Sequence, residues 1–262
     1  EVERVAGRKF ERHTEFVFPE DPESDHVGVH AQTQKGLYWV GVCLAGGRLT
    51  GAQMRIISDL SDKYGEKGKV GIRGTNKQNL IIVNVPEKNV AALKQELVAS
   101  GLVIEPSNFR KGCVSCTGIE FCNLAVGETK NRMIRLVGEL EQVSAHYRDK
   151  VRIHFSGCPS SCGQHQLADI GFRGATRTVD GVKKECFDMF LGGKTGADAR
   201  FNVLIQPKVP YEEVHLYIDK VLRAYESKKN GSETLTRWLG RSSKDDLKAI
   251  FADVTGTNGS AS

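Results

Sequence analysis

The chain has 262 residues, of which 39% are hydrophobic and 26% charged, and its formal net charge is +5. That length is ample for one or two packed domains, and no run approaches the ~18 consecutive apolar residues of a membrane-spanning helix. The modest positive charge suits acidic partners but does not by itself indicate nucleic acid. We therefore expect no nucleic-acid partner and no membrane partner.

The amino-terminal stretch reads as a connector. The chain opens with Glu1 instead of a methionine, and its first residues are not typical of a secretory signal peptide. We expect a fragment of a longer protein or a processed chain. Residues 1–26 are polar, contain Pro19 and Pro22 and carry an acidic run at 20–25, which predicts a solvated linker.

Residues 27–105 show strand and helix signals in the order β-α-β-β-α-β, which is typical of a ferredoxin-like unit. Thr50 is the expected N-cap of the first helix, and Pro86 is expected to open the second. The strands are predicted at 37–43, 69–73, 80–84 and 101–105, and the helices at 50–64 and from residue 86 onward.

Residues 106–230 predict a second, mixed α/β domain, so the fold class expected for the chain is α+β. Helices are predicted over about 128–146 and from Pro210 onward, and strands at 151–155, 186–191 and 201–205. Residues 231–262 are predicted to form a polar carboxy-terminal segment, whose end at 256–262 is disordered.

Five of the seven cysteines lie between residues 113 and 162, and four of them form two short-range pairs. Cys116 and Cys122 are separated by five residues, and Cys158 and Cys162 by three. Soft thiolates select zinc, copper(I) or iron–sulfur clusters, and structural zinc sites favour ligands two to four residues apart. The five-residue spacer therefore favours a four-cysteine iron–sulfur cluster.

Two alternatives remain open on spacing alone. Cys113 and Cys116 form a Cys-x2-Cys pair that would suit zinc together with the later pair, or the cysteines are ordinary buried thiols. Cys43 and Cys186 are expected to be small buried hydrophobic residues. An odd number of clustered cysteines argues against a secreted disulfide framework. We expect a reducing compartment: the cytoplasm, or the plastid stroma if the source is a plant or an alga.

The sequence segments around these cysteines resemble those of a known family. Residues 116–125 read Cys-Thr-Gly-Ile-Glu-Phe-Cys-Asn-Leu-Ala, and residues 156–165 read Ser-Gly-Cys-Pro-Ser-Ser-Cys-Gly-Gln-His. With Ala-Asp-Ile-Gly-Phe-Arg-Gly at 168–174, they closely resemble the sirohaem and [4Fe-4S] half of the assimilatory nitrite/sulfite reductase family. The resemblance covers about 27–241 and implies that 106–230 is the sirohaem/[4Fe-4S]-binding domain.

The resemblance also implies a ligand set. In that family four cysteines hold the [4Fe-4S] cluster, and the last of them also bridges to the sirohaem iron. The matching residues here are Cys116, Cys122, Cys158 and Cys162, with Cys162 as the bridge. By the same comparison Cys113 is not a ligand.

Further cofactor contacts are expected from cations, because sirohaem carries many carboxylates. The candidates are Lys130, Arg132, Arg173 and Lys194, although each alone is more typical of a solvated surface charge. Lys194 lies in the glycine-rich run 192–196, which by itself predicts either an anion-binding loop or a tight turn.

Two histidines stand near the second cysteine pair, and each admits a structural role. His165 follows Cys162 closely enough to be mistaken for an axial ligand of the haem. A packing role is favoured, because the thiolate already takes that face of the iron. His154 alternates with core positions of a strand, so we expect a structural residue.

Residues 75–79 resemble the T-x-x-Q-N segment of the family. In the family's other ferredoxin-like repeat, an arginine near this place binds the substrate oxyanion, and the corresponding residue here is Lys77. We interpret this repeat as the supporting one and keep Lys77, Lys150 and Arg152 as weak candidates for catalytic cations.

The activity that the resemblance implies is the six-electron reduction of nitrite to ammonia, closest to the ferredoxin-dependent nitrite reductases. The alternative substrate is sulfite, which would be reduced to sulfide. We expect ferredoxin as electron donor, and an N-terminal half or second chain as a partner needed for activity. The rival from another class is a non-catalytic zinc-binding or iron–sulfur electron-transfer subunit.

Overall fold

The computed structural model describes residues 1–10, 25–69, 71–179, 181–196 and 198–252. Most of the predicted linker and the carboxy-terminal end at 256–262 lie outside the described residues. The helices and strands, in chain order, are α1 (Val2–Ala6), β1 (Gly28–Ala31), β2 (Leu37–Val42), α2 (Gly51–Tyr64), β3 (Gly71–Gly74), β4 (Leu80–Pro86), α3 (Glu87–Ala99), α4 (Asn108–Lys111), β5 (Cys113–Ser115), α5 (Lys130–Val143), β6 (Ile153–Ser156), β7 (Ile170–Val179), β8 (Val182–Leu191), β9 (Val203–Pro210), α6 (Val214–Lys228), α7 (Leu235–Arg241) and α8 (Lys244–Ala249).

The first unit is an antiparallel sheet in the order β1-β2-β4-β3. The helices α2 and α3 pack with the sheet around one hydrophobic core, to which Ile57, Ile82 and Leu93 contribute. Helix α2 begins where the sequence predicts. Thr50 accepts a hydrogen bond from the Gln53 N–H, and the Gln53 side chain accepts one from the Thr50 N–H, which satisfies two otherwise unpaired donors.

The outer edge of this sheet differs from the prediction. The expected strand at 101–105 is reduced to a single bridge between Cys43 and Val103, and β1 pairs with β2 in its place, with Gly28 opposite Gly41. A Cβ on Gly41 would stand 2.3 Å from the His26 carbonyl oxygen, so this close approach requires glycine. Strand β1 escapes prediction because its four residues are half-buried or exposed and show no apolar alternation.

The second unit is a five-stranded mixed sheet in the order β5-β6-β7-β8-β9. Strands β5, β6 and β7 run parallel, whereas β7, β8 and β9 are antiparallel. Helices α5 and α6 pack with it in a single core, in which Leu136, Phe155, Phe172 and Ile218 are fully buried. The α+β fold class is thus confirmed, although strand β7 was not predicted.

The carboxy-terminal segment is not the polar extension that the sequence suggests. It folds into α7 and α8, whose apolar side chains Leu235, Trp238 and Leu247 join the core of the second unit. The Trp238 ring meets Tyr225 edge-on, with 5.8 Å between ring centroids. These few apolar side chains are spaced among many polar ones, so their shared burial is visible only in three dimensions.

Helix length also bears on membrane insertion. Within the described ranges, no helix combines the length and the apolar character needed to cross a bilayer.

Replacing Trp238 with Ala should lower the free energy of unfolding by about 3–5 kcal/mol, because a large buried ring leaves a cavity. Urea unfolding followed by circular dichroism measures the loss. The matched control is Lys244→Ala on the exposed side of α8, which should change stability by less than ~0.5 kcal/mol. Equal stabilities of the two variants would show that α7 does not belong to the core.

Candidate metal centre

The sheet topology brings the two cysteine pairs to one edge. Cys116 directly follows β5, and Cys158 follows β6 after a single glycine. Because β5 and β6 are parallel neighbours, with Ser115 opposite Phe155, both loops leave the sheet in the same direction. The Cys116 N–H extends this pairing with a 3.0 Å hydrogen bond to the Phe155 carbonyl.

The first loop is a tight turn that depends on Gly118. The Gly118 carbonyl accepts from the Cys122 N–H at 3.0 Å. Gly118 has a φ of +75°, and a Cβ there would stand 2.6 Å from the Thr129 hydroxyl oxygen. A residue with a side chain would therefore be both strained and crowded, and Cys122 would lose its position relative to Cys116.

The second loop is interlocked with the first through Gly157. Its carbonyl accepts hydrogen bonds from the Val126 N–H at 2.8 Å and from the Gly127 N–H at 3.3 Å. Its own N–H donates to the Cys116 sulfur at 3.1 Å. A Cβ on Gly157 would stand 2.9 Å from the Ala125 side chain, so only glycine allows this contact.

The second cysteine pair spans a turn with an unusual backbone. Ser161 and Gln164 adopt left-handed φ values of 64° and 53°, which non-glycine residues adopt rarely. The Gly163 N–H between them donates to the Ser156 hydroxyl at 3.2 Å. Such strain persists where the surrounding structure holds it and is found at functional sites.

All seven cysteines are free thiols, but they fall into two classes. Cys116 and Cys122 are half-buried and Cys162 is exposed, so three of the four candidate ligands reach the surface. Cys158 is buried, with 8% of its surface accessible. Four free thiols on two interlocked loops, with an N–H donor at one sulfur, fit a cluster held by four thiolates.

The zinc alternative does not fit. Cys113 lies in the hydrophobic core, where burial raises the pKa of its thiol far above the usual range and so disfavours the thiolate that zinc binds. Within the part of the chain that the structure describes, no three cysteine, histidine or acidic side chains are placed to hold a single metal ion, and this applies to the four candidate cluster ligands as well. Cys43 and Cys186 are buried as expected, and burial raises the pKa of Cys43 to about 11.

The four cations expected near a tetrapyrrole have different partners. Lys130 starts α5, and its ammonium donates to the neutral Gln78 amide oxygen at 3.2 Å. Burial, followed by the neighbouring Arg48 guanidinium, lowers the pKa of Lys130, while the Cys116 thiolate acts in the opposite direction. Lys130 and Gln78 line a cleft of about 490 Å³ whose other walls are largely apolar.

The other three cations are paired with carboxylates. Arg132 lies 2.7 Å from Glu185 and stacks on the Tyr211 ring, 4.1 Å from its centroid. Arg173 lies 2.7 Å from Asp188. Lys194 lies 3.7 Å from Asp198. The Arg132 pair joins α5 to β8 and the Arg173 pair joins β7 to β8, whereas the Lys194 pair is local to one loop.

The glycine-rich run behaves as a turn rather than as an anion loop. It presents carbonyl oxygens to guanidinium groups: Arg152 donates to the Gly193 carbonyl at 3.0 Å, and Arg200 donates to the Gly192 carbonyl at 2.8 Å. Carbonyl oxygens repel anions. Arg152 also forms a two-pronged ion pair with the buried Asp169, a contact that suits a structural role.

Lys77 and Lys150, the remaining catalytic candidates, lie in different surroundings. Lys77 is buried with 8% of its surface accessible, and its charge is felt by His154. Lys150 is exposed and stands just before β6, where its carbonyl accepts from the Tyr147 hydroxyl at 2.9 Å.

The two histidines are buried neutral residues. His165 bonds the Ser161 hydroxyl at 2.7 Å and packs on the Phe190 ring. Burial, followed by Arg173, lowers the pKa of His165 to about 4. Burial, followed by Lys77 and Arg152, lowers the pKa of His154 to about 4. These contacts suit the packing roles expected for both.

Sequence reasoning did not locate two features of the site. Gln78 contacts the strand that precedes Cys116, whereas the sequence showed only that it belongs to the T-x-x-Q-N segment and predicted no role for it. The first cysteine loop also exposes a row of apolar side chains, at 42–71% of their surface: Ile119, Phe121, Leu124 and Val126. The segment 119–126 contains only two polar residues, Glu120 and Asn123, and this density of apolar residues was a signal that went unused.

Two domain families match the chain. Residues 30–100 match the family described as the nitrite/sulfite reductase ferredoxin-like half domain. Residues 111–251 match the family described as the nitrite and sulphite reductase 4Fe-4S domain. Together they cover both units of the fold.

Relatives of both substrate types are similar to this chain. Sulfite reductase [ferredoxin] 1 of Mycolicibacterium paratuberculosis is 40% identical over 86% of this chain, which covers 41% of the relative. The assimilatory ferredoxin-dependent nitrite reductase of Haloferax mediterranei is 40% identical over 83% of this chain, which covers 37% of the relative. The chain therefore spans about two-fifths of the length of these relatives.

Solved structures show the same architecture. The NirA protein of Mycobacterium tuberculosis superposes with a TM-score of 0.84 at 34% identity, over 94% of this chain and 45% of NirA. Dissimilatory sulfite reductase I superposes with a TM-score of 0.64 at 14% identity, a likeness in fold alone.

The buried histidines should make stability depend on pH. With folded pKa values near 4 and an unfolded value near ~6.5, the unfolded chain binds more protons between these limits. The stabilising contribution is complete above the unfolded pKa and is lost as the pH falls through the folded one. Protonation of each histidine should remove about 1.5 kcal/mol of stability between pH ~6.5 and ~5, since the unfolded imidazole is already half protonated at the upper limit.

Urea unfolding of the metal-free chain at these two pH values provides the measurement. His154→Gln should roughly halve the pH dependence, whereas His30→Gln, at an exposed position, should leave it unchanged. Identical slopes for the His154 variant and the unmodified chain would mean that His154 is not buried in its neutral form.

Proposed function

Because the chain belongs to the nitrite and sulfite reductase family, whose members are oxidoreductases that use a [4Fe-4S] cluster and sirohaem, we propose that it is the carboxy-terminal half of such an enzyme. The observation that carries the proposal is the pair of interlocked cysteine loops at one edge of the second sheet. The reaction proposed for the complete enzyme is the six-electron reduction of nitrite to ammonia, with sulfite to sulfide as the alternative.

In this proposal the cluster ligands are Cys116, Cys122, Cys158 and Cys162. A bound cluster would supply one-electron redox chemistry at this edge of the sheet. The Gly157 N–H at the Cys116 sulfur stabilises thiolate charge, and hydrogen bonds to the sulfurs tune the reduction potential. Cys162 is the exposed member of the set, which supports its assignment as the thiolate shared with the sirohaem iron.

Lys130 is the strongest of the four candidates for a sirohaem carboxylate. Its ammonium bonds a neutral amide, whereas Arg132, Arg173 and Lys194 each pair with a carboxylate of the protein. A sirohaem carboxylate that approached Lys130 would therefore meet an available positive charge, because no carboxylate in the described part of the chain forms an ion pair with it. The other three are proposed to support the fold around the cofactor.

The cations that bind substrate are proposed to come mainly from the rest of the enzyme. Reducing a small oxyanion requires several positive groups that converge on it and deliver protons. Arg152 is held by Asp169 and by a loop carbonyl, and Lys77 is buried. Lys77, Lys150 and Arg152 therefore remain secondary candidates for this role.

The choice between nitrite and sulfite rests on the sequence after Cys162. The sequence segments 163–165 and 168–171 resemble the ferredoxin-dependent nitrite reductases more closely, so we propose nitrite as the preferred substrate. Ferredoxin is the donor named for relatives of both kinds, and a net charge of +5 suits an acidic donor. A reducing compartment, the cytoplasm or a plastid stroma, completes the proposal.

The missing part of the enzyme is proposed to cover the first cysteine loop. Phe121 and Leu124 each expose 71% of their surface, and Ile119 exposes 55%. Contiguous exposed apolar side chains mark surfaces that another structure covers. This proposal explains why the loop exposes apolar side chains in a chain that spans only two-fifths of the length of its relatives.

Removing a proposed ligand should remove the cluster. Cys122→Ser or Cys158→Ser replaces a soft thiolate with a hard, weakly binding hydroxyl, and each variant should lose more than half of the iron and acid-labile sulfide after anaerobic reconstitution. Cys113→Ser is the control and should retain both. Full iron content in either ligand variant, or loss in the Cys113 variant, would contradict the assignment.

The isolated chain should bind a cluster but not turn over. Reduced viologen dye with nitrite or sulfite is the assay, and the visible spectrum reports whether sirohaem is bound. Activity is expected only when the chain is combined with an amino-terminal half from a relative. A purified monomer of these 262 residues that reduces either anion would contradict the need for a second half. Lys77, Lys150 and Arg152 would then become the leading candidates for the cations that bind the substrate.

A further inference from the structure

We propose that Gln78 is a positioning residue for the cluster: its side-chain amide closes the free edge of β5 and thereby fixes the backbone that carries Cys116. The inference rests on the proposed function, since it concerns the same four-cysteine site. It assigns a task to the ferredoxin-like unit beyond packing, because Gln78 belongs to the turn between β3 and β4.

The geometry is that of a strand pairing made by a side chain. Strand β5 has three residues and pairs with β6 on one side only. On its other side, the Gln78 Nε2 donates to the Ser115 carbonyl at 2.8 Å, and the Gln78 Oε1 accepts from the Ser115 N–H at 3.2 Å. One amide thus satisfies both backbone groups of a residue that is fully buried, where an unpaired polar group is destabilising.

The turn that presents Gln78 is held in an unusual conformation. Gln78 has a φ of +60°, which is rare for a residue with a side chain. Two bonds close the turn: the Gln78 N–H donates to the Thr75 carbonyl at 3.1 Å, and the Thr75 N–H donates to the Asn79 carbonyl at 2.9 Å. The buried Asn79 side chain accepts from the Leu44 N–H at 2.8 Å. The surrounding structure therefore maintains a strained glutamine that faces β5.

Gly47 makes room for this glutamine. A Cβ on Gly47 would lie 2.9 Å from the Gln78 Cβ, and Gly47 itself has a φ of +66°. The close approach of this backbone to Gln78 restricts the side chain to the direction of β5. The clamp therefore depends on two neighbouring segments of the ferredoxin-like unit.

Gln78 also sets the charge beside the site. Its Oε1 receives the Lys130 ammonium at 3.2 Å as well as the Ser115 N–H. Because the amide is neutral, it orders the ammonium without cancelling its charge. Lys130 directly follows Thr129, whose hydroxyl donates to the Cys116 carbonyl at 2.6 Å, so this charge lies beside the first cysteine. A carboxylate at position 78 would neutralise Lys130 and would lose the donor to the Ser115 carbonyl.

The clamp acts on the residue directly before Cys116. The Cys116 N–H donates to the Phe155 carbonyl, and the Cys116 sulfur accepts from the Gly157 N–H. A shift of Ser115 would move Cys116 away from both partners. Loss of the clamp should loosen the cluster, and loss of the Lys130 charge should make its reduction less favourable.

The experiment uses the full 262-residue chain with an anaerobically reconstituted cluster. The two variants are Gln78→Met, which keeps the length but removes the two hydrogen bonds to Ser115 and the one from Lys130, and Gln78→Glu, which adds a carboxylate. The same substitutions at Gln95, an exposed residue of α3, are the matched controls. The readouts are the rate of iron release to a ferrous chelator and the midpoint potential of the cluster.

We expect Gln78→Met to release iron at least tenfold faster than the unmodified chain. We expect Gln78→Glu to shift the reduction equilibrium at least tenfold towards the oxidised cluster, which is about 59 mV for a one-electron couple. Both Gln95 variants should match the unmodified chain. Unchanged iron release from Gln78→Met would overturn the positioning role.

Folding is checked by thermal melting of the metal-free variants. If Gln78→Met melts well below the unmodified chain, the decision passes to Gln78→Glu, in which an unchanged potential and release rate would overturn the proposal. Failure of the proposed function looks different: the unmodified chain itself would then hold no cluster. A chain that holds a cluster and is indifferent to position 78 contradicts the positioning role alone.

Discussion

The parallel pairing of β5 with β6 is the constraint on which the site depends. Each cysteine pair follows the carboxyl end of its strand, and parallel neighbours bring these ends to one edge. An antiparallel arrangement would place the pairs at opposite ends of the sheet. Yet β5 has only three residues, so the pairing relies on contacts outside it. Those contacts come from Gly157, whose peptide bonds both the first loop and the Cys116 sulfur, and from Gln78 on the opposite side.

The two units of the chain are therefore coupled at the site rather than merely adjacent. The ferredoxin-like unit contributes Gln78 and, through Arg48, an ion pair to Glu120 of the first cysteine loop. The second unit contributes the thiolates and the ammonium of Lys130. A structural change in the first sheet can thus affect the position of the cysteines directly, through Gln78 and Arg48, without a change in the hydrophobic core of the second unit.

Elements with strong local signals were predictable, and elements defined by distant partners were not. Thr50 capped α2 where expected, because its capping box is local. Strand β1 and helix α7 were missed, since both are made stable by residues far away in sequence. The cysteines could be identified from their spacing and from the family resemblance. The role of Gln78 could not, because its partner Ser115 lies in the other unit, and no local sequence pattern predicts a side chain that pairs with the edge of a strand.

The interlocked loops have a consequence for how the chain reaches its folded state. The segment 123–157, which includes all of α5, lies between the two cysteine pairs. A cluster held by both pairs would close this segment into a ring, which reduces the freedom of the unfolded chain much as a disulfide does. A ligand that binds only the folded form stabilises it by mass action. Iron supply would then act on the abundance of the folded protein, and a cell short of iron would hold fewer folded chains as well as fewer active ones.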